Sequence, residues 1–390
     1  MTDMEKLKIK LQSFCIFREL LRDPVISSLL CHLEKPTNSA YADFVAALYR
    51  ANGGNLGEYL KEICANSDNV YVKTIGRGTD VPNYMYNALL FELDVIQEMT
   101  ELTKDKLCSA LEFKDCLPDF TSTKLKLKDI YLHRAENIGR YGYGIYARNR
   151  MFYVDDAGEI VPVRNPDRTE LVDLVDYERE RNIILDNTRA LLAGKPAANI
   201  LLTGDAGTGK SSTVKAAANA LWEEGLRIVE VRKDQLHSIP KVLDSLSENP
   251  LKFILFIDDL SFLKDDDNFN ALKAVLEGSV TAKSKNVVIY ATSNRRHIIK
   301  EKFSDRDGDD VHRNDTMQEL ISLSERFGIH ITFSKPNKET FLRIVHHLAE
   351  KSRIDMPQNE LDLLAERFAL ERGGRSARLA RQFVDVLLSK

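Results

Sequence analysis

A glycine-rich loop is the clearest chemical signal in this chain. Residues 204–211 read Gly-Asp-Ala-Gly-Thr-Gly-Lys-Ser and follow the apolar run 199–203. This is the complete pattern G-x-x-x-x-G-K-[ST] in its required context, with a short strand before it and a helix-forming stretch, 211–224, after it. The competing interpretation is a plain glycine turn before a helix. We predict that this loop binds nucleotide phosphates through Gly204, Asp205, Ala206, Gly207, Thr208, Gly209, Lys210, Ser211 and Ser212.

Two acidic residues could complete the phosphate chemistry. The run 253–257 is typical of a buried strand, and it ends in Asp258 and Asp259. Next to a phosphate loop, the first acid and the hydroxyl of Ser211 are expected to hold Mg²⁺. The second acid can polarise an attacking water, while Lys210 reaches the β- and γ-phosphates. The alternative is an ordinary strand that ends in a polar turn.

Three further polar residues follow at positions suited to the same reaction. Asn294 ends a strand and could hydrogen-bond both the water and the γ-phosphate, although asparagine is also a common turn residue. Arg326 precedes a strand and is suited to neutralise transition-state charge on the phosphate of a neighbouring subunit, with a surface salt bridge as the alternative. Arg375 opens the last helix and could reach the γ-phosphate from there.

Alternating strand and helix patterns must position these residues. Strands are predicted at 199–203, 226–231, 251–257, 286–292 and 328–333. Helices are predicted at 176–193, 211–224, 238–248, 266–277 and 315–324, followed by a purely helical end at 337–351, 358–370 and 373–388. The alternation predicts an α/β fold, a parallel sheet of five strands with its ligand at the carboxyl ends of the strands and a C-terminal helical lid.

The beginning of the chain has a different texture. Residues 1–138 look mainly helical, and they hold all five cysteines, with no C-x-x-C pair that would indicate a zinc site or a disulfide framework. The stretch 142–163 is aromatic and glycine-rich and predicts a β-hairpin. We therefore predict four domains, which are a helical partner-recognition domain at 1–140, a hairpin linker at 141–170, a nucleotide-binding domain at 171–335 and a lid at 336–390.

The order of these motifs resembles the AAA+ ATPases over about 170–390. Within that group, Asn294-Arg-Arg-His, Leu323-Ser-Glu-Arg-Phe-Gly and the segment 174–195 resemble an uncharacterised bacterial ATP-binding family, domain of unknown function 815. The resemblance implies Asn294 as sensor 1, Arg326 as arginine finger and Arg375, rather than Arg378, as sensor 2. It also implies ATP and Mg²⁺ as cofactors, a homo-oligomer, and adenine contacts at Val175 and Tyr177.

Two departures from that pattern affect the functional prediction. The usual second acid of the strand is glutamate, whereas Asp259 is one methylene shorter, which predicts slow water activation or a different position of the base. The segment 233–240 lacks the aromatic–apolar–glycine loop with which threading unfoldases grip polypeptide.

Composition limits the partners. The net charge of −4 over 390 residues gives no global reason to expect nucleic acid, and no apolar run approaches membrane-spanning length. The first residues lack the apolar core of a signal peptide, so the cytoplasm is expected.

We predict an Mg²⁺-dependent ATPase, a hydrolase coupled to remodelling of an unknown partner bound by residues 1–140. A DNA-associated loader or initiator and a slow nucleotide-dependent switch or scaffold are the alternatives.

Overall fold

The protein folds as two compact units, Met1–Arg148 and Asn149–Lys390, here called the N-terminal and C-terminal units. The computed structural model describes residues 1–260, 267–277, 285–294 and 325–389. Among these residues, no helix combines the length and the apolar content that crossing a membrane requires.

The N-terminal unit is helical in its described residues. Its helices are α1 (Asp3–Gln12), α2 (Pro24–Glu34), α3 (Asn38–Asn52), α4 (Leu56–Ala65), α5 (Val70–Gly76), α6 (Asn83–Met99), α7 (Lys104–Leu107), α8 (Leu127–Glu136), α9 (Ile138–Tyr141) and α10 (Ile145–Arg148).

Local sequence signals set the limits of these helices. At the start of α1, Thr2 and Glu5 form a reciprocal capping box. Asp23 caps α2, whose first residue is Pro24. Gly53 ends α3 in the left-handed conformation, with φ +78°. The buried faces of these helices then pack into one apolar core.

The C-terminal unit is an α/β sheet followed by three helices. Its elements are β1 (Met151–Val154), β2 (Ile160–Pro162), α11 (Glu178–Leu192), β3 (Ile200–Gly204), α12 (Lys210–Ala220), β4 (Leu226–Val231), α13 (Ile239–Ser247), β5 (Lys252–Ile257), α14 (Asp267–Glu277), β6 (Val287–Ser293), β7 (Ile329–Phe333), α15 (Lys338–Lys351), α16 (Gln358–Glu371) and α17 (Ala377–Leu388).

The described strands form one sheet in the order β2-β1-β4-β5-β6-β3-β7. Among the strand pairs of the described residues, only β1–β2 is antiparallel. All five residues of β3 are buried, and five of the six in β5, as expected for strands covered on both faces. Because Thr203 pairs with Ser293 and Ile257 pairs with Ala291, the carboxyl ends of β3, β5 and β6 meet at one edge.

The predicted fold class is confirmed, and the five predicted strands are β3 to β7. The described part of the chain contributes seven strands to the sheet rather than five because the predicted hairpin joins it, with β1 alongside β4. The hairpin begins at Met151, later than predicted, since Gly142 and Gly144 adopt φ of +67° and +58° and a short helix follows them. The helix predicted at 315–324 lies outside the described residues, and the four-domain division stays a prediction.

Candidate functional site

The predicted phosphate loop connects β3 to α12, and its glycines are required by the geometry. Gly204 has φ +141°, and a Cβ atom there would lie 2.1 Å from the carbonyl oxygen of Phe333 on β7. Gly209 has φ +95° and immediately precedes the first residue of α12. The hydroxyl of Thr208 donates to the carbonyl of Asp205 at 2.9 Å, which closes the loop on itself.

Lys210 is buried at the centre of this loop, with 5% of its surface exposed. Its Nζ donates to the carbonyls of Gly204 (2.7 Å) and Asp205 (2.9 Å) and to Oδ1 of Asn294 (3.0 Å). Burial lowers the pKa of this ammonium group, and the nearby Asp258 carboxylate opposes that shift. The lysine is thus held over the edge of the sheet by acceptors that include two carbonyls of the loop itself.

The two predicted metal-binding residues are in direct contact. Ser211 Oγ donates to Oδ1 of Asp258 at 2.6 Å, and Thr292 Oγ1 donates to the same oxygen at 2.6 Å. Carboxylate and hydroxyl oxygens are the hard donors that Mg²⁺ prefers. The chemistry of this donor set fits a magnesium ion.

The second acid and the predicted sensor asparagine also meet. Asn294 Nδ2 donates to Oδ1 of Asp259 at 2.6 Å, while its Oδ1 accepts from Lys210. Asp259 adopts φ +55°, an uncommon conformation for a residue with a side chain. One asparagine therefore links the predicted base to the phosphate-binding lysine.

The lid helices reach the loop through Arg378. The backbone N–H of Arg378 donates to the Gly207 carbonyl at 3.4 Å, and a Cβ on Gly207 would lie 3.0 Å from that of Arg378. Arg378 and Arg381 of α17 both line the cavity beside the loop.

Arg375 does not line this cavity. Its guanidinium makes two hydrogen bonds to Glu366 of α16, at 2.9 and 2.6 Å, so it is held within the lid. That bond to Arg375 lowers the pKa of the Glu366 carboxyl. Of these two arginines, Arg378 rather than Arg375 therefore lines the cavity beside the phosphate loop.

Apolar side chains also line the cavity, in company with the carboxylates of Asp173 and Asp176. Leu174, Val175 and Tyr177 line it from the segment before α11, and Ile344 and Leu348 line it from α15. The cavity is therefore lined both by the segment before α11 and by the lid, where Val175 packs against the apolar cluster that includes Ile344.

Tyr177 is held by contacts with the last residue of β7 and the residue after it. Its hydroxyl donates to the carbonyl of Ser334 at 2.5 Å, and its ring lies 5.1 Å from that of Phe333. Burial raises the pKa of this phenol to about 12, so the hydroxyl keeps its proton at neutral pH. Asp176 and Tyr177 both have positive φ, and the Asp176 carboxylate pairs with Arg343 of α15 at 3.0 Å.

These features surround a single cavity of about 600 Å³. Most of the predicted residues line it, namely Ala206, Gly207, Thr208, Gly209, Lys210, Ser211, Ser212, Asp258, Asp259, Asn294, Val175 and Tyr177. Gly204 and Asp205 lie at the base of the loop.

Arg326 lies at the opposite edge of the sheet. It precedes β7, and the first residue of β7 pairs with Ile200 at the start of β3. The length of β3 therefore separates it from the phosphate loop, by roughly 15 Å or more.

Sequence reasoning missed Thr292 and Arg381. Thr292 lies two residues before Asn294, which directly follows β6, so the period-2 pattern of a strand predicts that both side chains point to the same side. Arg381 lies three residues after Arg378 on a helix, the spacing that puts two side chains side by side. Both signals were available in the sequence once the site had been located.

The fold and the site have the architecture of a P-loop protein of the AAA+ type. Its phosphate loop, acid-bearing strand, asparagine-bearing strand and helical lid follow one another in that order around one cavity. The chain belongs to the family described as Protein of unknown function (DUF815), which matches residues 147–390.

The chain is also similar to a curated protein and to solved structures, each at low sequence identity. Protein CfxQ homolog of Pyropia yezoensis is 26% identical over 221 residues, which is 51% of this chain and 68% of that protein. The Thermotoga maritima RuvB Holliday junction branch migration motor is 15% identical with a TM-score of 0.40, covering 57% of this chain and 64% of that one, less than two thirds of its length. The FIGL-1 AAA domain in complex with ADP is 18% identical with a TM-score of 0.37, over 56% and 72% of the two chains.

Proposed function

We propose that this protein binds ATP with Mg²⁺ in the cavity of the C-terminal unit and hydrolyses it to ADP and phosphate. The observation that carries the proposal is the convergence of the loop, Lys210, the Ser211–Asp258 pair and the Asp259–Asn294 pair at one edge of the sheet.

The shape and polarity of the cavity support a nucleotide as its ligand. A volume of about 600 Å³ lies in the range of small-molecule sites. The loop offers backbone N–H groups and a helix N-terminus to phosphates, and the side chains of Val175, Tyr177 and Ile344 offer an apolar surface to the adenine ring.

Each residue of the site has its own role in the proposed hydrolysis. Ser211 and Asp258 would hold Mg²⁺, which when bound neutralises phosphate charge. Lys210 binds the phosphates, while Asp259 and Asn294 orient a water molecule whose oxygen attacks the γ-phosphorus. The bond from that phosphorus to the β–γ bridging oxygen breaks, ADP leaves with that oxygen, and the proton of the water passes to Asp259 or to the phosphate. Arg378 contacts the phosphates from the lid.

A second candidate is a slow switch that signals through its bound nucleotide. The observation that favours it is the 2.6 Å hydrogen bond from Asn294 to Asp259, since this bond occupies an oxygen that would have to accept from water. Aspartate is also shorter than the glutamate expected there, which limits its reach. The two candidates share the nucleotide site and differ in turnover.

The proposal also includes a homo-oligomer of this chain and a protein partner bound by the N-terminal unit. Because Arg326 lies at the opposite edge of the sheet from its own phosphate loop, it would act on the nucleotide of a neighbouring copy in a homo-oligomer. The N-terminal unit, predicted as the partner-recognition domain, would bind the protein on which hydrolysis acts.

Phosphate release by the full chain tests hydrolysis and separates the two candidates. Asp259→Asn should keep nucleotide binding and lower turnover by about 100-fold, the usual contribution of a general base. Asp258→Ala should weaken Mg²⁺-dependent binding. Asp244→Asn, on the exposed face of α13, is the matched control and should leave turnover unchanged.

A wild-type turnover no higher than that of Asp259→Asn, with binding intact in both, would favour the switch. Equal and rapid turnover in the wild type, Asp258→Ala and Asp259→Asn would contradict the assignment of this edge of the sheet as the catalytic one.

A further inference from the structure

Thr292 is the buried residue that touches both acids of the site. It lies on β6 with 2% of its surface exposed. Its hydroxyl accepts the backbone N–H of Asp259 at 2.9 Å and donates to Oδ1 of Asp258 at 2.6 Å. Its carbonyl accepts the N–H of Leu260 at 2.7 Å. Thr292 thereby contacts three consecutive residues at the end of β5.

The hydrogen bond from the Thr292 hydroxyl fixes the orientation of the Asp258 side chain. A threonine hydroxyl has one proton to donate, and here it goes to the carboxylate oxygen that also accepts from Ser211. Two donors on one oxygen hold the carboxylate in a single rotamer. The acid that would bind the metal is therefore oriented by the protein before any ion arrives.

The bonds to Asp259 and Leu260 fix a strained turn. Asp259 has φ +55°, in the left-handed region that few residues with a Cβ adopt. The turn carries no glycine that would adopt this conformation at lower cost. The two backbone bonds to Thr292 hold it, and they direct the Asp259 side chain towards Asn294.

We propose that Thr292 is a positioning residue that sets the metal-binding acid and the water-activating acid with one hydroxyl. The inference rests on the proposed function, because positioning matters only if the two acids act on nucleotide. Thr292 does not itself contact the nucleotide in this account. A purely structural threonine would stabilise the sheet and leave the response to Mg²⁺ unchanged.

Three variants of the full chain separate these roles. T292V keeps the shape and removes the hydroxyl, T292S keeps the hydroxyl, and T188V is the matched control. Thr188 is equally buried, and its hydroxyl bonds to Ile184 O (2.7 Å) and Tyr290 Oη (2.8 Å) on α11 and β6, away from the acids. For each protein, ATP hydrolysis is measured against Mg²⁺ concentration, together with kcat, KM and the melting curve.

T292V should need about 10-fold more Mg²⁺ for half-maximal turnover and lose about 10- to 100-fold in kcat, the range found when a partner of a metal ligand is removed. T292S should return both quantities to within about threefold of wild type, because the same hydroxyl is present. T188V should lower the melting temperature and leave the Mg²⁺ response unchanged.

A T292V protein with wild-type kcat and Mg²⁺ response would overturn the positioning role alone, whereas a wild type without Mg²⁺-dependent turnover would overturn the proposed function and this role with it. Equal loss in T292S and T292V, or the same Mg²⁺ shift in T188V, would also overturn the role of the hydroxyl. If T292V does not fold, T292A replaces it, since it removes the hydroxyl without adding bulk, and the same criteria apply.

Discussion

The two units each bury a charged side chain, Glu92 in the N-terminal unit and Lys210 in the C-terminal unit, with 1% and 5% of their surfaces exposed. Glu92 accepts the backbone N–H groups of Cys15, Ile16 and Phe17 at 2.6, 3.0 and 2.8 Å. Lys210 instead lines an open cavity, alongside Asp258 and a glycine-rich loop. The first charge is enclosed by the fold, and the second is available to a ligand.

The cavities of the two units also differ in whether their charged groups are paired within the fold or converge on one place. A cavity of about 700 Å³ in the N-terminal unit is bordered by carboxylates. Among these, Glu5 accepts the N–H of Thr2, Glu34 accepts from Gln12, and Glu98 pairs with Lys10 at 2.6 Å. Volume alone therefore does not identify a functional site. What distinguishes the C-terminal cavity is that its polar groups converge on one place with the geometry of a phosphate and metal site.

The largest expected effect tests whether the C-terminal cavity is complete within one chain. Arg326→Ala should bind ATP normally and lose hydrolysis by on the order of 10³-fold, because only the charge that develops in the transition state goes uncompensated. Mixing it with Lys210→Ala should restore part of the activity. The Lys210 variant still supplies Arg326 to a neighbouring subunit, and the Arg326 variant still has an intact nucleotide pocket.

Turnover per subunit, measured against protein concentration for each variant and for the mixture, reports this directly. ATP-dependent oligomers and a turnover that rises with concentration are expected. A monomer with concentration-independent turnover and no rescue in the mixture would restrict the site to one chain.

A smaller effect is expected from the enclosed charge of the N-terminal unit. Glu92→Ala leaves three N–H groups, two of them in buried contacts, without this acceptor and should lower the free energy of unfolding of that unit by about 3 kcal/mol. Glu98→Ala, on the same helix, removes an exposed ion pair and should cost less than about 1 kcal/mol. Denaturant unfolding followed by circular dichroism measures both variants.

Nucleotide binding should survive Glu92→Ala, since Glu92 has no part in the C-terminal site. Equal unfolding free energies for Glu92→Ala and Glu98→Ala would show that the burial of Glu92 carries no stability. Loss of ATP binding in a folded Glu92→Ala protein would remove the contrast between the two units.

Much of the C-terminal unit could be predicted from sequence because its patterns are local. The phosphate loop is one contiguous motif, and the strands before Gly204 and Asp258 are unbroken apolar runs of the kind buried in parallel sheets. The meeting of Asp259 with Asn294 follows from the rule that carboxyl ends of parallel strands share an edge.

Other features depended on contacts that sequence spacing does not specify. The hairpin strand Met151–Val154 joins the sheet through pairing with β4, more than 70 residues later, a contact that no local pattern specifies. Arg375 and Arg378 are both near the start of the last helix, and spacing alone does not show that Arg375 pairs with Glu366 on another helix while Arg378 lines the cavity. The hydrogen bond from the Asp259 N–H to the Thr292 hydroxyl joins β6 to the turn after β5, and it too becomes visible only in the folded structure.

The central claim is that the cavity of the C-terminal unit binds ATP through Lys210, and calorimetric titration of the full chain with ATP and Mg²⁺ tests it most directly. The wild type and Lys195→Ala, an exposed lysine outside the cavity, should bind alike. Lys210→Ala should melt as a folded protein and bind about 100-fold more weakly, as expected for the loss of a charged donor to phosphate. Unchanged ATP affinity in a folded Lys210→Ala protein would contradict the account.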